Sequence, residues 1–473
     1  MPANYLHGTE TITITQGPVP VTVVKSNVIG LIGIAPQGPV QTPIWVRGVN
    51  DAAQFGKLVP GFNIPRALDA IFAQGPANVV VINVFSSSSH TSQVTDEPQT
   101  VTNGKLKLAY PPIGAVTIEE SNGSTAATIV KGVDYTLDEF GNFVSLTNNA
   151  DNGHVFKFTY KKLNAAAVDA AAIIGSIDTG TDTRTGCKAL TKIKTLFGFV
   201  PKILIAPDYS SVNAVAVELL AQASALKAIA LLDAPAATTI AGAISGRGIA
   251  GTINFNTSSD RAYLLYPYLK AYDPYSNTNV DYPYSNFMAG VISNNDIENG
   301  YWWSPSNKEI KGIVGSERVI TGGYNDASGD VNALNEVGIT SILNTFGTGI
   351  RTYGNRSAAF PTVTEPRNFI SIRRTADVIH ESLELAVAQF IDRPITQALI
   401  DAIRETGNGF IRTLIGRGAL IQGSRVEYPA DVNTPVEIAA GRLTFDLVMM
   451  PPPPAERITI RSFIDINLLK NLA

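Results

Sequence analysis

A single cysteine, Cys187, stands in a chain of 473 residues. No intrachain disulfide can form, and no thiolate-rich metal site can be built within one copy. Histidine is nearly as scarce: His7, His90, His154 and His380 lie far apart in sequence. Charge is thin as well. Asp, Glu, Lys and Arg make up 16% of the chain, against about a quarter in an average soluble domain. The net charge of −4 offers no global field to draw in nucleic acid or an anionic membrane. Long apolar runs are missing. The best of them, VIGLIGIAP at 28–36, falls far short of the roughly 20 residues that span a bilayer. MPANYLHGTE at the start has no basic region followed by an apolar core, so no export signal is read there and synthesis in a cytoplasm is expected.

What is present is apolar surface with few charges to solvate it. Apolar residues reach 45%, which implies that much of the surface is covered by partners. Such a length also predicts several domains. Residues 9–24 alternate, with Ile12, Ile14, Val19, Val21 and Val23 at two-residue spacing. That period is an extended strand, and Pro18 and Pro20 confine it to an edge or an arm. An α/β rhythm follows: VIGLIGIA, the helix-like IPRALDAIFAQG and NVVVINVF, then GCKALTKIKTLFG, PKILIAP, SVNAVAVELLAQASALK and AIALLDAP. Short apolar runs between amphipathic helices predict parallel strands covered on both faces. Residues 86–160 interrupt the rhythm with short alternating runs and turn pairs, which reads as an inserted all-β module. From about 346 the cations change: 13 arginines and one lysine, against 6 arginines and 16 lysines before. Arginine tolerates interfaces better than lysine, so an interface-rich C-terminal domain is expected. There NFISIRR reads as a strand leading into a helix, and 394–420 as a helical stretch broken or kinked at Gly407-Asn408-Gly409. After the stiff spacer PPPP comes AERITIRSFIDINLL, whose alternating Ile458 and Ile460 predict a terminal strand with Phe463 in the same arm.

Motifs for chemistry do not assemble. GRGIAG fits a Gly-rich dinucleotide pattern, but a helix-like run precedes it and TINF follows, which reverses the required order; it reads as a flexible turn. Asp178-Thr179-Gly180 has no second copy to make a carboxylate dyad. His380-Glu381 continues to Glu384 where a zinc protease would need histidine, so a solvated helix face is expected. With no convergent titratable cluster, no enzyme activity, catalytic residue, cofactor or metal is predicted. The α/β rhythm by itself leaves a nucleotide-binding enzyme as the alternative from another class, and the β insert an adhesive or decorating protein. The segment YWWSPSNKEIKGIVG at 301–315 holds two of three tryptophans. Trp302, Trp303 and Pro305 read as an aromatic anchor and turn that fix the joint between the α/β part and the C-terminal domain.

These fragments, in this order, resemble contractile tail sheath proteins of myophages and R-type bacteriocins. The resemblance rests on LHGTETITI with SNVIGLIGIAP, on TGCKAL…PKILIAPDYS…LLAQASALKAIALLDAP, on YWWSPSNKEIKGIVG, on LNTFGTGIRTYGNRS with FISIRR, and on PPPPAERITI. It covers nearly the whole length except 86–160. TYGNRS departs from the many relatives that carry tryptophan before the glycine and threonine after the arginine. The resemblance implies a structural subunit that stacks in six-fold rings around a tail tube and contracts to drive the tube through the host envelope for genome ejection. The implied partners are other copies of itself, the tail tube protein, and baseplate and tail terminator proteins at the ends. Direct nucleic acid contact and membrane insertion are not implied. The location is the virion tail, or the sheath of a headless, bacteriocin-like particle.

The expected fold is α/β, α+β overall and multidomain. Its parts are an N-terminal arm (1–26), an α/β sheath domain (27–85 and 161–345), an outer β-rich insert (86–160), a tube-facing C-terminal domain (346–454) and a C-terminal arm (455–473). The arms are expected to pair between subunits. Arg404, Asn408 and Arg412, spaced i, i+4 on one helix face, with Arg417 beyond, are candidates for touching the tube or a neighbouring subunit.

Overall fold

The computed structural model describes residues 21–120, 131–145, 153–248, 250–344, 347 and 349–472. Ile12, Ile14 and Val19 lie outside them. The body is built on an eight-stranded sheet. Across it the strands run Ile350–Tyr353, Ile339–Asn344, Ala262–Leu265, Ile229–Asp233, Ile203–Ile205, Val28–Gly33, Asn78–Asn83 and Ile44–Val46. The inner six are parallel and both outer strands are antiparallel.

Alternation at two residues sorts each strand into two cores. Val28 and Ile32 face one layer with Val215, Leu219 and Ala223 of the helix Asn213–Leu226. Ile29 and Leu31 face the other, with Leu68 and Ile71 of the helix Ile64–Gln74 and Phe287 and Ile292 of the helix Tyr284–Glu298. Coverage on both faces is why these strands are continuous apolar runs. The sheet includes Ile350–Tyr353, so the body reaches past the expected limit at 345.

The insert is all-β. One sheet pairs Thr91–Thr100 and Ile113–Glu120 on either side of Val155–Leu163; the other joins Lys105–Lys107, Asn142–Ser145 and Tyr135–Leu137. Their facing sides bury Phe143, Phe156, Phe158 and Tyr160. Lys57 and Glu139 tie the insert to the body at 2.6 Å.

The C-terminal region holds two long helices, Ile370–Val387 and Gln397–Gly416, and a two-stranded sheet, Arg425–Glu427 with Asp446–Val448. Two expectations are corrected here. FISIRR is not a strand: its last five residues are the first turns of the Ile370–Val387 helix. Ile370, Ser371 and Ile372 are all buried, and a short run buried on every side carries no readable period. The Gly407-Asn408-Gly409 stretch does not break its helix, which runs through it unbroken. Gly407 is there for approach: a Cβ would lie 2.9 Å from Val426 Cγ2. Among the described residues 455–465 pairs with no strand of its own chain, and Ile466–Leu472 is a short 3-10 helix; the expected arm strand concerns contacts between copies. A strand needs a partner ladder, and 455–465 reaches none among the described residues.

Candidate functional site

The 301–311 segment is a clasp on the edge of the body sheet. Asn307 N–H donates to Thr352 O at 2.6 Å, Thr352 N–H to Lys308 O at 2.8 Å, and Ile310 N–H to Ile350 O at 2.9 Å. The outermost strand is thereby paired and closed to other chains. Thr352 Oγ1 donates to the carbonyl of buried Pro305 at 2.6 Å. Gln74, at the end of its helix, grips the next residue from both sides: its Nε2 donates to Lys311 O and its Oε1 accepts Lys311 N–H, each at 2.9 Å. The two tryptophans part company. Trp302 packs on the C-terminal core of Ile379, Phe410, Ile411 and Leu414, where Val21 and Val23 also rest. Gly300, at φ 102°, lets its ring lie close; a Cβ would come within 2.5 Å. Trp303 is 51% exposed, so the expectation that both rings anchor the joint is corrected to one. The two rings lie in a turn closed by Trp303 N–H donating to Gly300 O at 3.1 Å.

A seam of ion pairs fastens the C-terminal helix Ile370–Val387 to the amino ends of the parallel strands. Arg374 and Asp296 form a two-bond pair at 2.9 and 2.6 Å, with both side chains buried, and Arg374 also donates to Ser26 O at 3.2 Å. Asp377 accepts two bonds from Arg261, at 2.6 and 3.0 Å, and pairs with Arg373. Glu381 pairs with Lys202, which also donates to Leu226 O at 3.0 Å; Glu384 pairs with Lys227. Positions 374, 377, 381 and 384 share one helix face. The solvated face expected around His380 and Glu381 is thus turned into the protein. Burial alone would raise the Asp377 carboxyl, but Arg261 and Arg373 outweigh it and hold it below its usual value. Burial pulls the Lys202 ammonium below its usual value, against the pull of Glu381. Sequence reasoning missed this seam. Its one signal was the 3–4 spacing of charges in RRTADVIHESLE.

The helical arginines separate. Asn408 is consumed inside the domain: its amide donates to Val426 O and accepts Val426 N–H, both at 2.9 Å. It is therefore not part of a free basic face. Arg404 lies beside Asp401 at 3.0 Å, Arg412 is exposed near Glu405 at 3.4 Å, and Arg417 is exposed at the helix end. At the C-terminus, Ile458, Ile460, Phe463, Ile464, Ile466, Leu468 and Leu469 are each 60% or more exposed.

Comparisons with known proteins decide what this arrangement belongs to. A model of the phage tail sheath protein central domain matches residues 182–358, and one of the phage tail sheath C-terminal domain matches 362–465. The tail sheath protein of Burkholderia phage BcepMu is 46% identical over 477 residues, covering 100% of this chain and 99% of the relative. The chain belongs to the phage tail sheath family. The tail sheath protein of Escherichia phage P2 is 27% identical over 300 residues, covering 63% of this chain and 72% of its own. Two solved structures share the fold at 16% identity. The helical sheath of the anti-feeding prophage in the contracted state has a TM-score of 0.61 over 98% of this chain and 100% of that one. The sheath complex of the extracellular contractile injection system PVC, also contracted, has 0.59 over 98% and 99%.

Within this sheath fold the tempting motifs are structural. GRGIAG follows the short helix Ile240–Ser245, and its Ile249 lies outside the described residues. Its Arg247 donates to the carbonyls of Val337, Phe255, Thr257, Ala358 and Phe360. Gly251 is needed because a Cβ would fall 2.3 Å from Gly246 O. Asp233 ends a central strand, where α/β proteins bind ligands. Its carboxylate instead accepts Ser285 N–H in the first turn of the Tyr284–Glu298 helix at 2.8 Å and the Ser210 hydroxyl at 3.1 Å.

Proposed function

We propose that this sheath subunit polymerises in stacked six-fold rings around a tail tube, its chain ends adding as strands to neighbouring copies. The observation that carries the reading is the apolar tail beyond Glu456. Seven large apolar side chains stand in water there, an arrangement that is stable only when another chain covers it. The two-stranded sheet Arg425–Glu427/Asp446–Val448 supplies a receiver at the outer edge of Asp446–Val448, the other edge being closed by the Asn408 amide on Val426. A tail given to the next copy is a heterologous contact, and such contacts build rings or helices. The C-terminal domain faces the tube, with Arg404, Arg412 and Arg417 meeting the tube or a neighbour. The insert lies outward. Baseplate and terminator proteins close the ends. Contraction drives the tube through the host envelope for genome ejection as an extended lattice relaxes to one with better contacts, with no catalytic step and no cofactor. The protein is made in the host cytoplasm and works in the virion tail. A phage tail is favoured over a headless particle by the full-length identity to a phage protein.

Electron microscopy of the purified chain tests this. Hollow helical tubes are expected from the full chain, and folded monomers without tubes from a chain ending at Pro454. Regular tubes from the truncated chain would overturn the arm reading; a small closed oligomer from the full chain would overturn the sheath polymer itself.

A further inference from the structure

Where the tail leaves the subunit is fixed by one residue of the body. Chain 450–456 crosses from the C-terminal domain back to the α/β body. Its start is tied down: Ile421 N–H donates to Met450 O at 2.9 Å, and Met450 N–H to Ser424 Oγ at 3.3 Å. Pro451–Pro454 then form a strut. Four prolines have fixed φ and no N–H, so they extend about 12 Å at roughly 3.1 Å each and cannot fold back into a ladder. At the far end Glu456 meets Arg356 through two bonds, Nε to Oε1 at 3.0 Å and Nη2 to Oε2. Past Glu456 every residue through Lys470 is exposed.

Arg356 is held on all sides before the glutamate arrives. Its guanidinium lies 3.7 Å from the Phe369 ring centroid and 4.7 Å from that of Phe360, and Nη1 donates to Asn368 Oδ1. Ser357 N–H donates to Asn368 O at 2.7 Å, and Ile370 N–H to Asn355 O at 3.0 Å. Arg356 thus sits where the last body strand hands over to the seam helix. A flat cation stacked on rings with its fork turned to a carboxylate is a rigid receiver, which lysine could not reproduce.

We infer that Arg356 is the positioning residue for the C-terminal arm, and that Glu456 latches the arm to it, aiming the apolar tail at a second copy of this chain. The inference rests on the sheath reading. It adds that tension on a tail held by a neighbour enters the subunit at Arg356, in the body, and not at the strand Asp446–Val448. The latch is partly exposed, so its effect is modest in the monomer. In the polymer it removes the freedom of every tail and acts at each contact.

The test compares the full-length wild type with Glu456→Arg, Glu456→Gln, Arg356→Glu and the double exchange Arg356→Glu/Glu456→Arg. The critical concentration for polymer is read by sedimentation, and monomer stability by urea unfolding. Both Glu456 variants are expected to keep the wild-type urea midpoint and to raise the critical concentration roughly fivefold or more. The double exchange is expected to recover part of that loss, which a general effect of surface charge would not do. If Arg356→Glu fails to fold, the Glu456 pair decides alone. Wild-type polymerisation by Glu456→Arg overturns the latch and leaves the sheath reading intact. No polymer from the wild type overturns both.

Discussion

Asp296→Ala removes one partner of the most deeply buried ion pair in the seam. Arg374 is 3% exposed and Asp296 1%. The substitution deletes both bonds of the pair and leaves Arg374 donating to the neutral Ser26 O. A buried cation stripped of its counter-charge costs about 3–5 kcal/mol. With a urea slope of about 3 kcal/mol per molar, the unfolding midpoint is expected to fall by about 1–1.7 M. The assay is urea unfolding of the full chain, followed by far-ultraviolet circular dichroism below the polymerisation concentration. The paired replacement Asp296→Leu/Arg374→Met is the control. It removes both charges and fills the space with apolar atoms, so it is expected to recover most of the loss. A midpoint shift under about 0.3 M for Asp296→Ala, near 1 kcal/mol, would refute the claim that this pair holds the helix to the sheet.

Trp302→Ala is expected to lower stability by about 3 kcal/mol, because its ring packs on the C-terminal core. Trp303→Ala, at a half-exposed position, is expected to change it by under about 0.5 kcal/mol; thermal unfolding of the two variants side by side checks the contrast. Asp233 gives a pH signature. Burial pushes its carboxyl from 3.8 up to about 6, so the folded chain holds a proton that the unfolded chain has released. Its contribution is therefore full below 3.8 and is lost as pH rises through 6, a change of about 3 kcal/mol. Asp233→Asn keeps an acceptor for Ser285 N–H and cannot ionise. Its urea midpoint relative to wild type is expected to rise between about pH 4.5 and about pH 7.5, and an unchanging difference would refute the assignment.

The body was legible because its strands are buried on both faces and its helices are amphipathic: VIGLIGI and NVVVINV leave little else to be. The insert was legible by its two-residue period, as Phe143, Phe156, Phe158 and Tyr160 alternate with exposed neighbours. FISIRR misled because burial on all sides erases the period that separates helix from strand. Gly407 misled because a glycine that lets Val426 approach is indistinguishable in sequence from one that breaks a helix. The candidate site was legible in outline only. Trp302 and Pro305 announced a joint by aromatic content and turn chemistry. Gln74, Asp296, Lys202 and Arg356 did not announce themselves, since each acts on a residue more than 70 positions away. Asn408 was placed on the right helix but with the wrong role, because a side-chain amide that closes on a strand looks polar in the sequence whatever it faces.

The polarity of the seam matters for what a sheath subunit must do. Apolar residues could hold the C-terminal helix to the body as strongly, but an apolar contact is non-directional and permits sliding by small steps. Paired forks such as Arg374 with Asp296 and Arg261 with Asp377 have one geometry, and a slip of a single turn would leave several buried charges without partners. Body and C-terminal domain are therefore indexed to each other. The tail is the opposite case. From 457 to 465 it forms neither helix nor ladder among the described residues, and strand addition uses backbone groups that every residue carries. Such a link tolerates a change of angle between the subunits it joins. On the arm pairing and latch proposed above, two lattices made from one subunit differ mainly in the directions of their arms, and the segment just beyond the Arg356–Glu456 pair is where that change of direction is absorbed.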